Sequence, residues 1–402
     1  MKIIHTSDWH LGQDFYAYDR TEEHEAFFSQ LAEIVAEEKP DALVVSGDIY
    51  HNAAPSNSVM RLFTDRLDAV RRACPSMQVV VTAGNHDSPS RLEVNRTLWE
   101  HLGVHVIGRI EKNEDKINFD HFIIPVYRGQ KELCGYVVAL PHIFAQSFPA
   151  VRPELSPEER RPAFMQALAD RVNEVNTAHV PVVMMAHMAI TGSDITGHDE
   201  FRGGMEYIPV TDLKVRFDYL ALGHIHCPQE IKGAQARYCG SPIPVSFDEN
   251  YGHFVVVVDL AEEGAPPACR LVPIHNPWPL LTFPKIAVPF EEAIQQLSDF
   301  PSDEKAYIRL HVKLQDVAPH NALELATKAV EGKQCRFCCF KWERTAVQAK
   351  VIRKYMDIDE MKAQSPVDVA AQYYEQRFNA ELTGDLREML DVVVKEIQDK
   401  ME

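Results

Sequence analysis

Met1–Gly12 reads MKIIHTSDWHLG, an apolar run from Lys2 to Thr6 followed by Asp8 and His10 two residues apart. A strand that ends this way delivers its donors to the carboxyl edge of a sheet, where α/β folds keep their chemistry. On extended backbone, residues two apart point the same way, so both side chains would face one metal. The arrangement recurs along the chain. ALVVSGDIYH carries Asp48 and His51, QVVVTAGNHD carries Asn85 and His86, VVMMAHM carries His187, and FDYLALGHIH ends in His224 and His226. Singly, each of these histidines is more often a satisfied structural residue than a ligand. Jointly, oxygen and imidazole donors placed just after several hydrophobic strands are improbable as coincidence. They predict a two-metal hydrolytic site suited to a phosphoester.

Between these strands the pattern switches to helical spacing. Phe27, Leu31, Ile34 and Val35 predict a helix over Thr21–Glu38, with Asp19 and Glu22 as a capping box and Pro40 closing it. Val59, Leu62, Phe63, Leu67 and Val70 mark a second helix, Ser90 with Glu93 the start of another, and Ser156 to Asn176 a further one. Strand and helix in alternation imply a mostly parallel sheet. From Ile110 to His142 the runs shorten and alternate, which predicts antiparallel strands or a hairpin insertion. ARYCGSPIP, HFVVVVDL and CRLVPI read as three more strands.

Pro273, Pro277, Pro279 and Pro284 interrupt regular pairing and mark a domain boundary. Beyond them, Phe290–Ser298, KAYIRLHVKL, Asn321–Glu331 and RFCCFKW alternate helix and strand, enough for a small α/β domain. The remainder predicts two amphipathic helices, beginning near Pro366 and Thr383, the second with an apolar stripe of Leu386, Met389, Leu390, Val393, Val394 and Ile397. The expected organisation is therefore three parts: 1–275, 276–345 and 346–402.

Composition narrows the class. At 402 residues with 46% apolar and 25% charged residues, the chain reads as an ordinary soluble globular protein. No apolar run approaches the ~18 residues of a membrane span. The first strand begins at Lys2 and leaves no room for a cleavable leader, so a cytoplasmic location is expected. Eight scattered cysteines fit reduced thiols. Cys335, Cys338 and Cys339 lack the second ligand pair of a zinc site and alternate as a strand would, which makes them core thiols. A net charge of −18 argues against holding nucleic acid by charge density alone. Bound cations or a basic partner can still neutralise phosphate locally, so nucleic acid is not excluded.

DWH, GDIYH, GNHD, AHM and GHIH resemble the signature blocks of the calcineurin-like metallophosphoesterase superfamily. More narrowly, HTSDWHLG, GDIYH, GNHDS, LGHIH and YCGSPIPVSFDE resemble the SbcD nuclease subunits of bacterial SbcCD complexes, over residues 1 to about 250. The resemblance implies an α/β fold: a metallophosphoesterase β-sandwich flanked by helices, then a small α/β capping domain and C-terminal helices that grip a partner. It implies one divalent metal ion on Asp8, His10, Asp48 and His226, and a second on Asp48, Asn85, His187 and His224, with Asp48 bridging. Nitrogen and oxygen donors without thiolate favour manganese.

His86 resembles the family residue that stabilises the transition state and helps protonate the leaving oxygen. His51 matches a position linked to substrate handling. Asp87 reads either as an orienter of the His86 ring or as a solvated turn carboxylate. His5, His142, His198 and His253 are read as structural or exposed.

The implied activity is exonuclease action on double-stranded DNA ends and endonuclease action on hairpins. The implied assembly is a homodimer within a heterotetramer with an SbcC-like coiled-coil ATPase, away from membranes. Two alternatives use the same residues. A phosphoesterase for nucleotides or phosphoproteins is disfavoured by YCGSPIP and the extra C-terminal domain, and a noncatalytic DNA-end scaffold by the complete ligand set with His86.

Overall fold

The structure is a computed structural model. It describes residues 1–344 except 115, 130, 196–205 and 315–317; beyond 344 it describes only isolated helical positions between 367 and 394. The terminal helices expected from Pro366 and Thr383 otherwise lie outside the described residues.

Two six-stranded sheets face each other. In the first, the spatial order is Ala268–Pro273, Phe254–Asp259, Lys2–Thr6, Ala42–Ser46, Gln78–Thr82 and Val104–Ile107. The last four run parallel and the first two antiparallel. The second sheet runs Gln229–Ile231, Ala236–Tyr238, Tyr219–Gly223, Val182–His187, Glu132–Ala139 and Ile123–Arg128. It is parallel at its centre and antiparallel at both ends.

The strand period of two explains the layering. Ile3, Ala42, Val44 and Val80 join the core shared with the second sheet, whereas Ile4, Leu43, Val45, Val79 and Val81 pack against the helices Thr21–Glu38 and Asn57–Ala73. Strands buried on both faces read as unbroken apolar runs, which is why they stand out in the sequence. The helix Pro157–Val175 adds Phe164, Met165, Leu168 and Val172 to the shared core. Its start is a true capping box of Ser156 and Glu159.

Several local expectations are corrected. The helix Thr21–Glu38 has Arg20 at its N-cap. Asp19 accepts from Thr21 N at 3.0 Å, but Glu22 is drawn off by Trp278 Nε1 at 2.9 Å and by Lys305. Ser90 starts no helix: a single turn, Pro89–Leu92, follows Ser88, and the Glu93 carboxylate accepts from the N–H groups of Gly108 and Arg109 instead. The runs between Ile110 and His142, by contrast, form the expected antiparallel strands, Ile123–Arg128 with Glu132–Ala139, at the margin of the second sheet.

Residues 280–344 form a parallel three-stranded sheet in the order Leu280–Pro289, Tyr307–Leu314, Arg336–Arg344. The helices Phe290–Ser298 and Ala322–Ala329 close a separate core around Leu297, Ile308, Leu310, Ala326, Cys335 and Phe337. Pro284 sits inside the first of these strands rather than in a linker. That strand is an edge, where a missing N–H is tolerated. Phe15, Phe247, Trp278 and Tyr307 make a small cluster where this unit meets the sandwich, with Cys338 and Cys339 packed beside it.

Candidate metal centre

Every donor singled out from the sequence lies at or just beyond the carboxyl end of a parallel strand, and the two sheets bring these ends together. Asp8 N donates to Gly47 O at 3.0 Å, and His10 N to Asp48 O at 3.0 Å, so the first two post-strand loops run side by side. Asp8, His10, Asp48 and His224 all have positive φ, at 54°, 46°, 50° and 97°. Side chains other than glycine are held there only where the surroundings over-determine them, commonly at functional sites.

His10 Nε2 lies 3.1 Å from His226 Nε2 and 3.9 Å from Asp48 Oδ2. Asp48 Oδ2 is 3.3 Å from His187 Nε2, and Asn85 Oδ1 is 3.0 Å from His187 Nε2 and 2.9 Å from His224 Nδ1. Among the described residues, three overlapping groups bring ligand atoms within 4.8 Å of one another: Asp8, His10 and His226; Asp8, Asp48 and His187; and His10, His51 and His86. Asp8, His10, Asp48 and His187 are all buried.

The electrostatics of this donor set fit cations. Burial pushes Asp8 up to about 7, with Asp48 adding repulsion. Burial opposes ionisation of Asp48 too, yet His187 and His10 hold it well below the usual carboxylate range. Burial disfavours a charged His187, but the adjoining Asp48 outweighs it and raises that imidazole to about 9. A proton thus stands where a cation could, between carboxylates that need positive charge. Burial lowers His10 to about 3, leaving the neutral imidazole that ligates metals.

Outer contacts fix the donors. His187 Nδ1 lies 2.8 Å from Ser46 O, which turns Nε2 into the pocket. His224 N donates to Asp8 Oδ1 at 3.0 Å, and Ser7 Oγ to Asp8 Oδ2. His86 N donates to Asp48 Oδ1 at 2.9 Å, while its Nδ1 lies 2.7 Å from His51 O. The His51 ring stacks on that of His86 at 5.8 Å.

Asp87 takes neither of its expected parts. Its buried carboxylate accepts from Gly84 N and Tyr50 N at 2.8 Å and from Ile49 N at 3.1 Å, pinning the Asp48 loop to the Asn85 loop. The His86 ring is anchored by the His51 carbonyl instead.

Two further residues border the site: His142, which the sequence reading set among the structural or exposed histidines, and Glu249, which it missed. His142 has Nδ1 2.9 Å from His187 O, and its ring lies 5.9 Å from that of His187. It follows the apolar run GYVVAL, the same signal that marks the other donors. Glu249, with its side chain fully buried, lies 4.0 Å from His226 Nδ1 and 3.4 Å from His253 Nε2. No local pattern marks it. His5 bonds Tyr219 Oη at 2.9 Å and His253 the Ser241 carbonyl at 2.8 Å, both structural, and His198 lies outside the described residues.

Facing sheets that close mixed oxygen and nitrogen donors around a buried acidic pocket define a metal-dependent phosphoesterase. Residues 1–228 match the family described as Calcineurin-like phosphoesterase. The chain is 35% identical over 295 residues to the SbcD subunit of the SbcCD nuclease of Rhodobacter capsulatus, a match covering 71% of this chain and 72% of that protein. It is 30% identical over 271 residues to the SbcD of Escherichia coli, covering 63% and 64%, and 29% identical over 342 residues to that of Bacillus subtilis, covering 83% and 84%. The chain belongs to the calcineurin-like phosphoesterases and, among them, to the SbcD nuclease subunits.

Proposed function

We propose that the chain is a divalent-metal-dependent DNA nuclease, cutting duplex ends exonucleolytically and hairpins endonucleolytically as the catalytic subunit of an SbcCD-type complex. The observation that carries this reading is the convergence of Asp8, His10, Asp48, Asn85, His187, His224 and His226 on one buried pocket with His86 at its margin.

Asp8, His10, Asp48 and His226 would hold one ion, and Asp48, Asn85, His187 and His224 the other. Asp48 would serve both, because its two oxygens can address different cations. Manganese suits these donors best. Two cations held there would supply an activated water and offset charge on the phosphodiester. His86 supplies what the donors cannot. With Nδ1 tied to the His51 carbonyl, its Nε2 is the atom that meets the leaving sugar oxygen and protonates it. His51 stacks on that ring and handles the substrate beside it.

The unit of residues 280–344 caps the nuclease and shapes access. The C-terminal helices bind an SbcC-like coiled-coil ATPase, and two copies of the chain complete a heterotetramer. Eight free cysteines support a reducing, cytoplasmic setting, and among the described residues no helix is long and apolar enough to cross a membrane.

The test is purified protein with Mn2+ on hairpin-ended duplex, cyclic nucleotides and phosphopeptides. Cleavage of the hairpin and blunt end is expected. Turnover of a small nucleotide or phosphopeptide without DNA cleavage overturns the proposal, and failure to copurify with a coiled-coil ATPase overturns its assembly.

A further inference from the structure

We propose that the small unit of residues 280–344 positions one half of the metal centre, that of Asp8, His10 and His226, through two side-chain routes that bypass the His187 half. This rests on the metal reading above.

The first route is a continuous line of hydrogen bonds. Arg336, its guanidinium 3.8 Å from the centre of the Trp278 ring, donates to Tyr307 Oη at 2.9 Å. Tyr307 Oη donates to Glu23 Oε2 at 2.8 Å, and Glu23 Oε1 accepts from Arg20 Nε and Nη2 at 2.9 and 2.6 Å. Arg20 Nη1 then reaches Gln13 Oε1 at 2.7 Å, and Gln13 N donates to His10 O at 3.0 Å. Arg20 and Glu23 are each about 1% exposed. A buried ion pair is a poor source of stability, since apolar side chains of the same volume often serve as well. What this pair does is hold three elements in one register: the small sheet, the helix Thr21–Glu38 and the loop of His10.

The second route ends on the neighbouring ligand. Arg309 donates to Asp248 Oδ1 at 2.7 Å and to Phe247 O at 3.2 Å, with its guanidinium 5.2 Å from the centre of the Phe247 ring. The next residue is Glu249, whose Oε1 accepts from Val245 N at 3.2 Å and sits 4.0 Å from His226 Nδ1. At 4.0 Å this carboxylate is beyond hydrogen-bond reach of His226 Nδ1 and acts on the imidazole through its charge and packing. Both routes therefore meet where His10 and His226 face each other at 3.1 Å.

The opposite half is tied to the sandwich itself. His187 is held by Ser46 O, and Asn85 spans His187 and His224. Moving the small unit accordingly changes affinity for the ion on the Asp8 half more than for the other, which it reaches only through the shared Asp48. By linkage, an ion on the Asp8 half restrains the small unit in return. Tyr307, Arg309 and Glu249 are positioning residues in this scheme.

Binding of Mn2+ alone to the full chain, measured by titration calorimetry, tests it. Tyr307→Phe keeps its ring in the aromatic cluster and loses only the hydroxyl; Arg309→Ala removes a largely buried guanidinium and its bonds to Asp248 and Phe247. Each is placed in an Asn85→Ala background, which retains the Asp8 half, and in a His10→Ala background, which retains the other. Affinity should fall about tenfold in the first background and markedly less in the second. Lys333→Ala, which unties carbonyls within the small unit only, should change neither. Equal weakening in both backgrounds, or none in either, overturns the inference while the metal reading stands. A parental chain that takes up no Mn2+ overturns both.

Discussion

Gly84→Ala asks whether the position of Asp48 governs the site. A Cβ at residue 84 would overlap Asp48 Oδ1 and the Asp48 backbone nitrogen, and would lie 2.7 Å from Asp48 Cγ, where ordinary contact starts at 3.4 Å. The carboxyl carbon alone must retreat by about 0.7 Å, and the overlapped atoms further, in a core packed too tightly to absorb it. Rotating the side chain gives no relief, because the backbone nitrogen is struck as well. Backbone retreat is resisted too: Asp87 clamps Gly84 N to Ile49 N and Tyr50 N just beyond Asp48. Overpacking of this kind costs about 1–3 kcal/mol, and a displacement near 1 Å at the reacting centre costs about a hundredfold in rate. The expected outcome is a folded protein, melting a few degrees lower, with both ions weakened if Asp48 serves both as proposed. Hydrolysis of bis-p-nitrophenyl phosphate, metal content and thermal melting would be measured on one preparation. A variant that melts lower yet keeps two ions and parental turnover refutes the reasoning.

His86→Ala should retain both ions and lose cleavage by about 10²–10⁴-fold, whereas Asp48→Asn should lose metal first; metal analysis beside rate measurement separates them, and a parental rate in His86→Ala removes its assigned role. Asp87→Ala leaves three buried N–H groups without an acceptor, at roughly 1–3 kcal/mol each, so denaturant titration should show a loss of about 3 kcal/mol or more. A loss under about 1 kcal/mol would mean that the clamp is replaceable. For pH, Asp8 is raised from 3.8 to about 7 and His187 from 6.5 to about 9, so both stabilise the metal-free protein at low pH. The Asp8 contribution is full below 3.8 and lost as pH rises through about 7; that of His187 is full below 6.5 and lost through about 9. Cations displace those protons, so the gain in melting temperature on adding Mn2+ should grow between about pH 5 and pH 8, and a constant gain contradicts the assignment.

How far the site was legible depends on where each signal resides. Asp8, Asp48, Asn85, His187 and His224 follow strands buried on both faces, so an unbroken apolar run points at each of them. The helix Thr21–Glu38 was legible from its 3.6-residue period for the same reason: one face meets Leu43 and Val45 and the other meets water. Its cap was not, because Glu22 bonds Trp278 and Lys305, more than 250 residues downstream. Glu249, Arg20 and Tyr307 are likewise invisible locally. Each matters only through partners that the fold brings across the chain, 284 residues apart for Tyr307 and Glu23.

The backbone at the ligands was hidden for a different reason. Nothing in DWH or GDI announces left-handed conformations at Asp8, His10 and Asp48, since aspartate and histidine adopt them only as a minority choice. Each such residue costs of order 1–3 kcal/mol, a sum no single strand end could sustain. The structure shows what sustains it: Asp8 N on Gly47 O, His10 N on Asp48 O and Leu11 N on Ile49 O bind two strained loops to each other, so neither relaxes without breaking the other's hydrogen bonds. In that arrangement Asp8 and His10 meet residues of the second sheet, Asp8 accepting from His224 N and His10 Nε2 lying 3.1 Å from His226 Nε2. The candidate donors were therefore readable from the chain, while their convergence is a property of two loops holding each other in place.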